Sequence, residues 1–257
     1  MGQRDRWSRR AHDAGLRSRA SFKLRQLDDR FELLDGAETV VDLGAAPGGW
    51  LQVAAERMRP GGTLVGVDRR RIEPLDDVEV TVHLLRGDVT DPTTHERIAG
   101  AVDGTADLVL SDMAPDVTGA YEVDHARSVH LADRAAAAAR ALLGPGGTLV
   151  VKVFEGRDLE DLVASLEDDF EYVARHRPAA TREASSEVYL VARGFLTAPV
   201  RAGDRLTVGI EATGDEGDGV ATVDGFTVFV PGAEVGETVD VEIEAVKSRF
   251  AFATRIR

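Results

Sequence analysis

The sequence predicts an α/β protein, built from a mostly parallel sheet with helices on both faces, followed by a small β-barrel. Short apolar runs alternate with helical patterns up to about residue 193, which is typical of parallel strands joined by helices. Beyond that point, short alternating strands are separated by tight-turn signals such as Asp218-Gly219 and Asp224-Gly225. A chain of 257 residues with 43% hydrophobic composition can bury the cores of two such domains.

The elements follow from these patterns in order. A basic, partly helical arm is expected over 1–30. Strands are expected at 39–43, 63–68, 80–86, 106–111, 148–154, 172–177 and 188–193. Helices are expected at 49–58, 96–102, 126–143 and 159–166. The run Gly144-Pro145-Gly146-Gly147 should end the alanine-rich third helix, because glycine and proline do not continue a helix.

The C-terminal region is predicted to form about five strands, which is enough for a small closed barrel. These strands are expected at 205–212, 219–223, 226–230, 238–246 and 249–256. The segment 194–199 is interpreted as a linker. The predicted domains are therefore the arm at 1–30, an α/β domain at 31–194 and the barrel at 195–257.

Composition excludes several classes of protein. The chain has no cysteine, so disulfides, thiolate zinc sites and iron–sulfur clusters are excluded, and its six histidines show no metal-ligand spacing. No stretch of about 18 apolar residues is present, so no membrane partner is expected. The N-terminus lacks an apolar signal segment, which predicts a cytoplasmic protein.

The net charge of −14 hides an uneven distribution. Residues 1–30 contain nine basic and four acidic residues, a balance of +5, and the remaining residues carry −19. High acidity with arginine in place of lysine is also typical of proteins from high-salt cytoplasms. Because long-range electrostatic attraction is screened at such salt concentrations, an acidic total does not argue against an RNA partner held by short-range contacts.

Only three of the 31 basic residues are lysines: Lys23, Lys152 and Lys247. Lys152 interrupts an apolar strand, and Lys23 lies in a run of arginine and serine. Arginine keeps its proton at any relevant pH, whereas a desolvated lysine can lose it. A lysine inside a strand therefore suggests an amine used for proton chemistry; the alternative is chance survival in an arginine-biased composition.

A glycine-rich loop, Asp42-Leu43-Gly44-Ala45-Ala46-Pro47-Gly48-Gly49-Trp50, follows the first strand and begins a helix. Asp42, Asp68, Asp88 and Asp112 each fall at or just beyond the carboxyl end of a predicted strand. Clustered carboxylates would repel the pyrophosphate of a dinucleotide, but they suit the ammonium, sulfonium and ribose hydroxyls of S-adenosylmethionine. A simpler interpretation is that these aspartates cap the helices that follow the strands.

Five ordered motifs carry a family resemblance: Arg17-Ser18-Arg19-Ala20-Ser21-Phe22-Lys23-Leu24, Asp42 to Trp50, Ser111-Asp112-Met113-Ala114-Pro115, Val151-Lys152-Val153-Phe154 and Ser186-Glu187-Val188-Tyr189. Over about residues 10–193 the chain resembles the FtsJ-type ribosomal RNA ribose 2′-O-methyltransferases, the large-subunit methyltransferase E family, which have a Rossmann-like methyltransferase fold. The resemblance implies a catalytic tetrad of Lys23, Asp112, Lys152 and Glu187. It also implies S-adenosylmethionine contacts at Gly48, Trp50, Asp68, Asp88 and Asp112.

These residues suit the chemistry that the resemblance implies. A ribose 2′-hydroxyl is a poor nucleophile until its proton is removed, so Lys152 is interpreted as the general base. Lys23 would tune the charge of Lys152 and position the ribose. Asp112 would orient Lys152, and Glu187 would align the hydroxyl or Lys23.

The C-terminal region resembles a TRAM domain, an RNA-binding barrel found on RNA-modifying enzymes, with an OB-like fold. Its resemblance rests on segments such as Phe226-Thr227-Val228-Phe229-Val230-Pro231-Gly232. Four phenylalanines and four cations could form a stacking and phosphate-binding surface: Phe226, Phe229, Phe250 and Phe252, with Lys247, Arg249, Arg255 and Arg257. For Phe229 and Phe252, however, we expect that they fill the barrel. The arm arginines at 4, 6, 9, 10, 17 and 19 are expected to contact the substrate.

The predicted function is S-adenosylmethionine-dependent 2′-O-methylation of a ribose in large-subunit (23S) ribosomal RNA, with free RNA or the assembled subunit as partner and a uridine of the peptidyl-transferase region as target. The alternatives are a transfer-RNA ribose methyltransferase and a non-catalytic ribosome-assembly factor. An NAD oxidoreductase is disfavoured by the acidic rim. No metal is expected.

Overall fold

The computed structural model describes residues 6–214 and 216–256, and within them the chain folds into two sheet-based domains. Arg4 and Arg257, two predicted RNA contacts, lie outside the described residues. The first domain contains the helices α1 (Arg6–Asp13), α2 (Ala20–Phe31), α3 (Gly49–Arg57), α4 (Pro92–Val102), α5 (Tyr121–Leu142) and α6 (Leu159–Glu167). Its strands are β1 (Thr39–Leu43), β2 (Thr63–Asp68), β3 (Thr81–Arg86), β4 (Ala106–Ser111), β5 (Leu143–Phe154), β6 (Phe170–His176) and β7 (Glu187–Phe195).

The seven strands form one sheet in the order β3-β2-β1-β4-β5-β7-β6. The first five strands in this order are parallel, and β7 pairs antiparallel with both β5 and β6. The prediction of a mostly parallel α/β sheet is therefore confirmed. Because the chain moves outward from β1 to β3 and then returns to β4 on the other side, a topological switch point lies between β1 and β4.

Helices cover both faces of this sheet, which explains why its strands are apolar on both sides. Leu24, Leu27 and Leu51 of α2 and α3 pack with Val40 on one face. Val41, the next residue of β1, points to the other face and packs with the alanines of α5 and with α4 and α6. The alternation along β1 thus divides the core into two layers.

Two elements differ from the prediction for identifiable reasons. Helix α5 begins at Tyr121, five residues before the predicted start, and the buried Asp124 in its first turn accepts hydrogen bonds from the amides of Thr118 and Gly119. At the other end, the Gly144–Gly147 run does not form a loop. It belongs to the start of β5, where the register against β4 shifts between Ala106 and Leu108.

The C-terminal domain is a curled six-stranded sheet in the order β8-β12-β13-β11-β10-β9. The strands are β8 (Arg205–Gly209), β9 (Ala212–Thr213), β10 (Gly219–Val223), β11 (Phe226–Val230), β12 (Thr238–Val246) and β13 (Phe250–Arg255). Strands β8 and β10 also contact each other, and the interior is filled by small aliphatic side chains. The predicted linker begins too early, because Gly194 and Phe195 belong to β7 and Phe195 packs on Phe170.

Candidate active site

A large cavity opens at the carboxyl ends of the parallel strands, at the switch point between β1 and β4. Its volume is about 1140 Å³. The walls come from the arm, the glycine-rich loop, the ends of β2, β3 and β4, and one side of α5. A cavity at a switch point is the usual ligand site of an open α/β sheet, and its volume exceeds the roughly 300–1,000 Å³ of most small-molecule pockets.

The glycine-rich loop holds its shape through backbone conformations that favour glycine. Gly44 and Gly48 have φ values of 82° and 104°, and a Cβ on Gly44 would lie 2.5 Å from Met113 Cγ. Gly48 is the residue immediately before α3, and it contacts Arg17 rather than lining the cavity. Gly48, one of the predicted cofactor residues, therefore shapes the loop and does not line the cavity.

Trp50 lines the cavity but is almost wholly buried. Its indole N–H donates to the carbonyl of Ala20 at 2.8 Å, and its ring lies 5.9 Å from the ring of Tyr189. Because its single donor is already used, Trp50 can offer a ligand only the edge of an apolar ring.

All four predicted aspartates line the cavity, and two of them, Asp42 and Asp68, belong to β1 and β2. Asp68 accepts hydrogen bonds from the amides of Ala46 and Arg70, at 3.0 and 2.7 Å. Asp42, by contrast, is fully buried, and within the described residues its Oδ2 has no hydrogen-bond partner. Burial raises the pKa of Asp42 well above 3.8, and the charges of Asp112 and Asp68 raise it further.

Asp88 also lines the cavity, two residues beyond β3. Its Oδ1 accepts from the amide of Thr90 at 2.9 Å and from the Thr90 hydroxyl at 2.8 Å. These hydrogen bonds lower the pKa of Asp88, with a smaller contribution from Arg69. Asp88 therefore stays ionised, and a carboxylate oxygen can still accept a further hydrogen bond from a ligand.

Asp112 lines the cavity and forms an ion pair with Lys152, which is buried just behind it and does not line the cavity itself. Lys152 Nζ lies 2.8 Å from Asp112 Oδ1 and also donates to the Asp112 carbonyl oxygen. Burial raises the pKa of Asp112, but the ammonium groups of Lys152 and Lys23 and the hydrogen bonds it accepts outweigh burial, so its pKa lies below the ordinary value. Asp112 is therefore an anion that holds the lysine in one orientation.

Lys23 and Glu187 form a second buried pair. Lys23 Nζ lies 2.5 Å from Glu187 Oε1, and both side chains are at most 10% exposed. The pair joins α2 to the first residue of β7. The structure thus brings together all four residues of the predicted tetrad as two ion pairs on neighbouring elements.

Tyr189 connects the two pairs, a role that the sequence analysis did not assign. Its hydroxyl donates to Asp112 Oδ1 at 2.6 Å, and Lys23 Nζ lies 5.6 Å from the centre of its ring. Tyr189 is also the residue paired with Lys152 across β5 and β7. Burial raises the pKa of Tyr189 well above 10.0, helped by the charges of Asp112 and Glu187, so its hydroxyl remains a donor. The available signal was its position in the Glu187 motif, two residues along the strand.

The first two turns of α5 fix the end of β5, just beyond Lys152. The hydroxyl of Tyr121 donates to the carbonyl of Glu155 at 2.6 Å, and a ring nitrogen of the buried His125 lies 2.9 Å from the carbonyl of Phe154. Ser128 Oγ accepts from the amide of Phe154 at 3.0 Å. Tyr121 and His125 precede the predicted start of this helix at residue 126, so the predicted helix does not include their contacts.

Arg17 connects the arm to the glycine-rich loop through hydrogen bonds. Its guanidinium donates to the carbonyl oxygens of Pro47, Glu73 and Pro74, and its amide donates to Gln52. Arg6 and Arg10 lie instead over the ring of Trp7 at about 5 Å. Among the arm arginines expected to contact substrate, Arg17 is thus engaged with backbone carbonyls.

Comparisons with known proteins decide the family. Residues 16–195 match the model for FtsJ-like methyltransferases, and residues 199–256 match the TRAM domain. The chain belongs to the FtsJ-like methyltransferase family. It is 52% identical to the ribosomal RNA large subunit methyltransferase E of Halobacterium salinarum, covering 99% of this chain and 98% of that protein. Identity to the protein of the same name from Haloarcula marismortui is 54%, covering 98% of each chain.

A solved structure supports the same fold. A crystal structure from Plasmodium falciparum, described as a ribosomal RNA methyltransferase, matches with a TM-score of 0.57 and 27% identity, covering 70% of this chain and 98% of that one. Within residues 6–214 and 216–256, this FtsJ-like methyltransferase has no cluster of side chains suited to hold a metal ion. In the same residues, no helix is long and apolar enough to cross a membrane.

In the TRAM domain, the expectation that Phe229 and Phe252 fill the barrel is wrong. Strand β11 alternates, so that Phe226 and Val228 point inward while Phe229 points outward. Phe229, Phe250 and Phe252 pack against one another on the outer surface, with ring centres 5.3–5.8 Å apart, and Phe252 is 39% exposed. Phe226 lies in the barrel core, whereas the other three rings form an external platform.

Asp42 gives this FtsJ-like enzyme a testable pH dependence. Because its pKa is raised in the folded state, folding without a ligand is favoured by protonation and loses stability as the pH rises through that raised pKa. Asp42→Asn should therefore stabilise the ligand-free protein at neutral pH and weaken its affinity for a ligand that donates a hydrogen bond to Oδ2. Thermal unfolding and calorimetric binding as a function of pH would measure both. A variant with unchanged stability and affinity would contradict the assignment of Asp42 as a ligand-facing carboxylate.

Proposed function

We propose that this protein transfers the methyl group of S-adenosylmethionine to the 2′-hydroxyl of a ribose in large-subunit ribosomal RNA, a uridine in the peptidyl-transferase region. The observation that carries the proposal is the lysine–carboxylate arrangement that reaches the cavity through Asp112: Lys152 with Asp112, and Lys23 with Glu187, joined by Tyr189. The name shared by the haloarchaeal relatives supports the ribosomal RNA target.

The contacts of Lys152 suit a general base. A neutral amine has two hydrogens and one lone pair. If both hydrogens are donated to Asp112, one to Oδ1 and one to the carbonyl oxygen, the lone pair occupies the only remaining position. A 2′-hydroxyl placed there would give its proton to Lys152, and that position is fixed because Asp112 fixes the amine.

Lys23 and Glu187 are proposed to position the ribose. Glu187 lies directly against Lys23, which favours the alternative in which this carboxylate aligns Lys23. Tyr189 keeps Lys23 close to the Lys152–Asp112 pair, and the positive charge of Lys23 acts on Asp112. Lys23 can therefore donate a hydrogen bond to a ribose oxygen while Lys152 removes the proton.

The residues at the cavity fit S-adenosylmethionine. The unpartnered Oδ2 of Asp42 is suited to a donor such as the ammonium group, and the small residues of the glycine-rich loop allow a ligand to lie against the backbone. Asp68 is proposed to contact the ribose hydroxyls and Asp88 the adenine edge. When bound, S-adenosylmethionine supplies an electrophilic methyl group, and the acidic rim disfavours a dinucleotide.

The TRAM domain is proposed as a second RNA-binding surface. The platform of Phe229, Phe250 and Phe252 offers ring faces to unpaired bases. Arg255 and Lys247 lie on neighbouring segments but pair with Glu237 and Glu171, so the aromatic rings carry this proposal. Ser248 and Lys247 contact Glu171 of β6, which links this surface to the catalytic domain.

Removing two of the platform rings should weaken RNA binding without changing affinity for the cofactor. For Phe229→Ala with Phe252→Ala, we expect the Kd for RNA to rise by about 5- to 150-fold, corresponding to roughly 1–3 kcal/mol of lost stacking. Fluorescence anisotropy with labelled RNA would measure it. Tyr172→Ala is the matched control, since Tyr172 is an exposed aromatic of the catalytic domain. Equal losses in RNA and cofactor affinity would contradict the division of roles.

The choice of RNA is tested by comparing substrates. Purified protein in molar potassium chloride is incubated with methyl-labelled S-adenosylmethionine and either unmodified large ribosomal subunits, free large-subunit RNA or transfer RNA. Label in the subunit or its RNA supports the proposal. Label in transfer RNA alone would change the proposed substrate to transfer RNA and leave the proposed reaction unchanged. Cofactor binding without transfer to any RNA would support a non-catalytic assembly factor instead.

A further inference from the structure

One wall of the cavity differs in charge from the others. The glycine-rich loop and the strand ends contribute the acidic rim, where Arg69 and Arg70 each lie within 4.0 Å of an aspartate. The wall formed by α5 contains Arg127, His130 and Arg134, with Glu122 as its acidic residue. All three side chains are exposed. In a chain with 45 acidic and 31 basic residues, a basic wall beside an acidic rim indicates two different ligand groups in one cavity.

Helix geometry places these cations in one stripe with Val123. At about 100° per residue, Arg127, His130 and Arg134 all fall within an arc of about 60° around the direction of Val123. Glu122 and Asp133, which are close in sequence, fall roughly 80–100° away from Val123. We call the surface formed by Val123, Arg127, His130 and Arg134 the α5 stripe.

In the described residues the arginines of the α5 stripe form no close ion pair with the protein, although the charge of Asp124 acts on Arg127. Within the part of the chain that the structure describes, neither Arg127 nor Arg134 has an acidic partner within 4.0 Å, although exposed arginines elsewhere, such as Arg59 and Arg205, pair with glutamates. The hydrogen-bond donors of both guanidinium groups are therefore available to an anion.

We propose that the α5 stripe binds RNA phosphates next to the nucleotide that is methylated. This inference rests on the proposed function. The cavity is larger than a typical small-molecule pocket, so it has room for the cofactor and part of a polynucleotide. The cationic and hydroxyl groups of the cofactor suit the acidic rim, which leaves the phosphodiester backbone as the anion for Arg127 and Arg134. The stripe would hold the RNA on the α5 side of the cavity, separately from the arm and the TRAM domain.

Salt dependence of RNA binding tests this directly. Each phosphate contact with single-stranded RNA contributes about 0.7 to the slope of log K against log salt concentration. Arg127→Gln with Arg134→Gln should therefore reduce the magnitude of the slope by about 1.4 and raise the RNA Kd roughly tenfold or more at the lowest salt used. Arg127→Lys with Arg134→Lys keeps both charges and should retain most of the slope.

The experiment uses the full chain, a transcript of the peptidyl-transferase region of large-subunit RNA, and a series of potassium chloride concentrations at which circular dichroism shows the fold intact. Arg59→Gln with Arg175→Gln is the matched control, because both arginines lie in the catalytic domain away from the cavity and the change removes the same charge. A wild-type slope in Arg127→Gln/Arg134→Gln, or an equal loss in the control, would overturn the proposal. So would a parallel loss of S-adenosylmethionine affinity, which would assign the stripe to the cofactor. Binding is measured without turnover. Failure of methyl transfer by the wild type would therefore count against the proposed function, but it would not change how the salt dependence of RNA binding is interpreted.

Discussion

Replacing Lys152 with arginine is expected to lower kcat for methyl transfer by about 10²- to 10⁴-fold, the usual contribution of a general base. Arginine keeps the positive charge beside Asp112, so the buried carboxylate remains paired. It does not give up its proton, however, and so cannot accept one from the 2′-hydroxyl. The loss should appear in kcat, with the KM for RNA and the affinity for S-adenosylmethionine changing far less.

The three lysines of the chain provide their own control. Lys247 lies on the TRAM domain with a side chain that is 45% exposed, 3.8 Å from Glu171. Lys247→Arg makes the same chemical change away from the cavity and should leave kcat unchanged. A Lys152→Arg enzyme that turns over at the wild-type rate would contradict the assignment of Lys152 as the base.

Breaking the Lys23–Glu187 pair is expected to destabilise the fold by about 3–5 kcal/mol, because each single change leaves a buried charge without its partner. Lys23→Met leaves the Glu187 carboxylate, and Glu187→Gln leaves the Lys23 ammonium. The double variant carries neither charge, so its loss of stability should be well below the sum of the single losses. All three variants should lose most of their activity, since Lys23 would no longer position the ribose.

Urea unfolding at a constant molar concentration of potassium chloride measures these stabilities, because urea leaves the ionic strength unchanged. The double variant separates the two effects: it should unfold close to the wild type and yet be inactive. Strictly additive losses would show that Lys23 and Glu187 do not interact, and an active double variant would remove Lys23 from the catalytic site.

Much of the α/β domain follows from local sequence. Strands β1, β2 and β4 have the predicted bounds, because apolar β-branched runs buried on both faces leave few other options. The same order places Asp42, Asp68, Asp88 and Asp112 at one edge of the sheet, since the carboxyl ends of parallel strands meet there. Motif resemblance then singled out the four tetrad residues that the structure pairs.

The rest depends on contacts between distant elements, which local patterns do not contain. Tyr189 stands in the Glu187 motif, but that motif does not indicate that the Tyr189 hydroxyl meets Asp112, 77 residues earlier in the chain. Helix α5 begins before its alanine-rich run, because buried Asp124 accepts amide hydrogen bonds from the preceding loop. Phe229 and Phe252 were misplaced because alternation along a strand does not tell which face of a barrel is interior.

The position of the transferred methyl group tests the central claim most directly. RNA labelled by the wild-type enzyme with methyl-labelled S-adenosylmethionine is digested to nucleosides and separated by chromatography, beside RNA treated with Lys152→Arg. We expect the label in a 2′-O-methylated nucleoside, formed by the wild type and nearly absent with the variant. Label on a base, or 2′-O-methylation that does not depend on Lys152, would contradict this account.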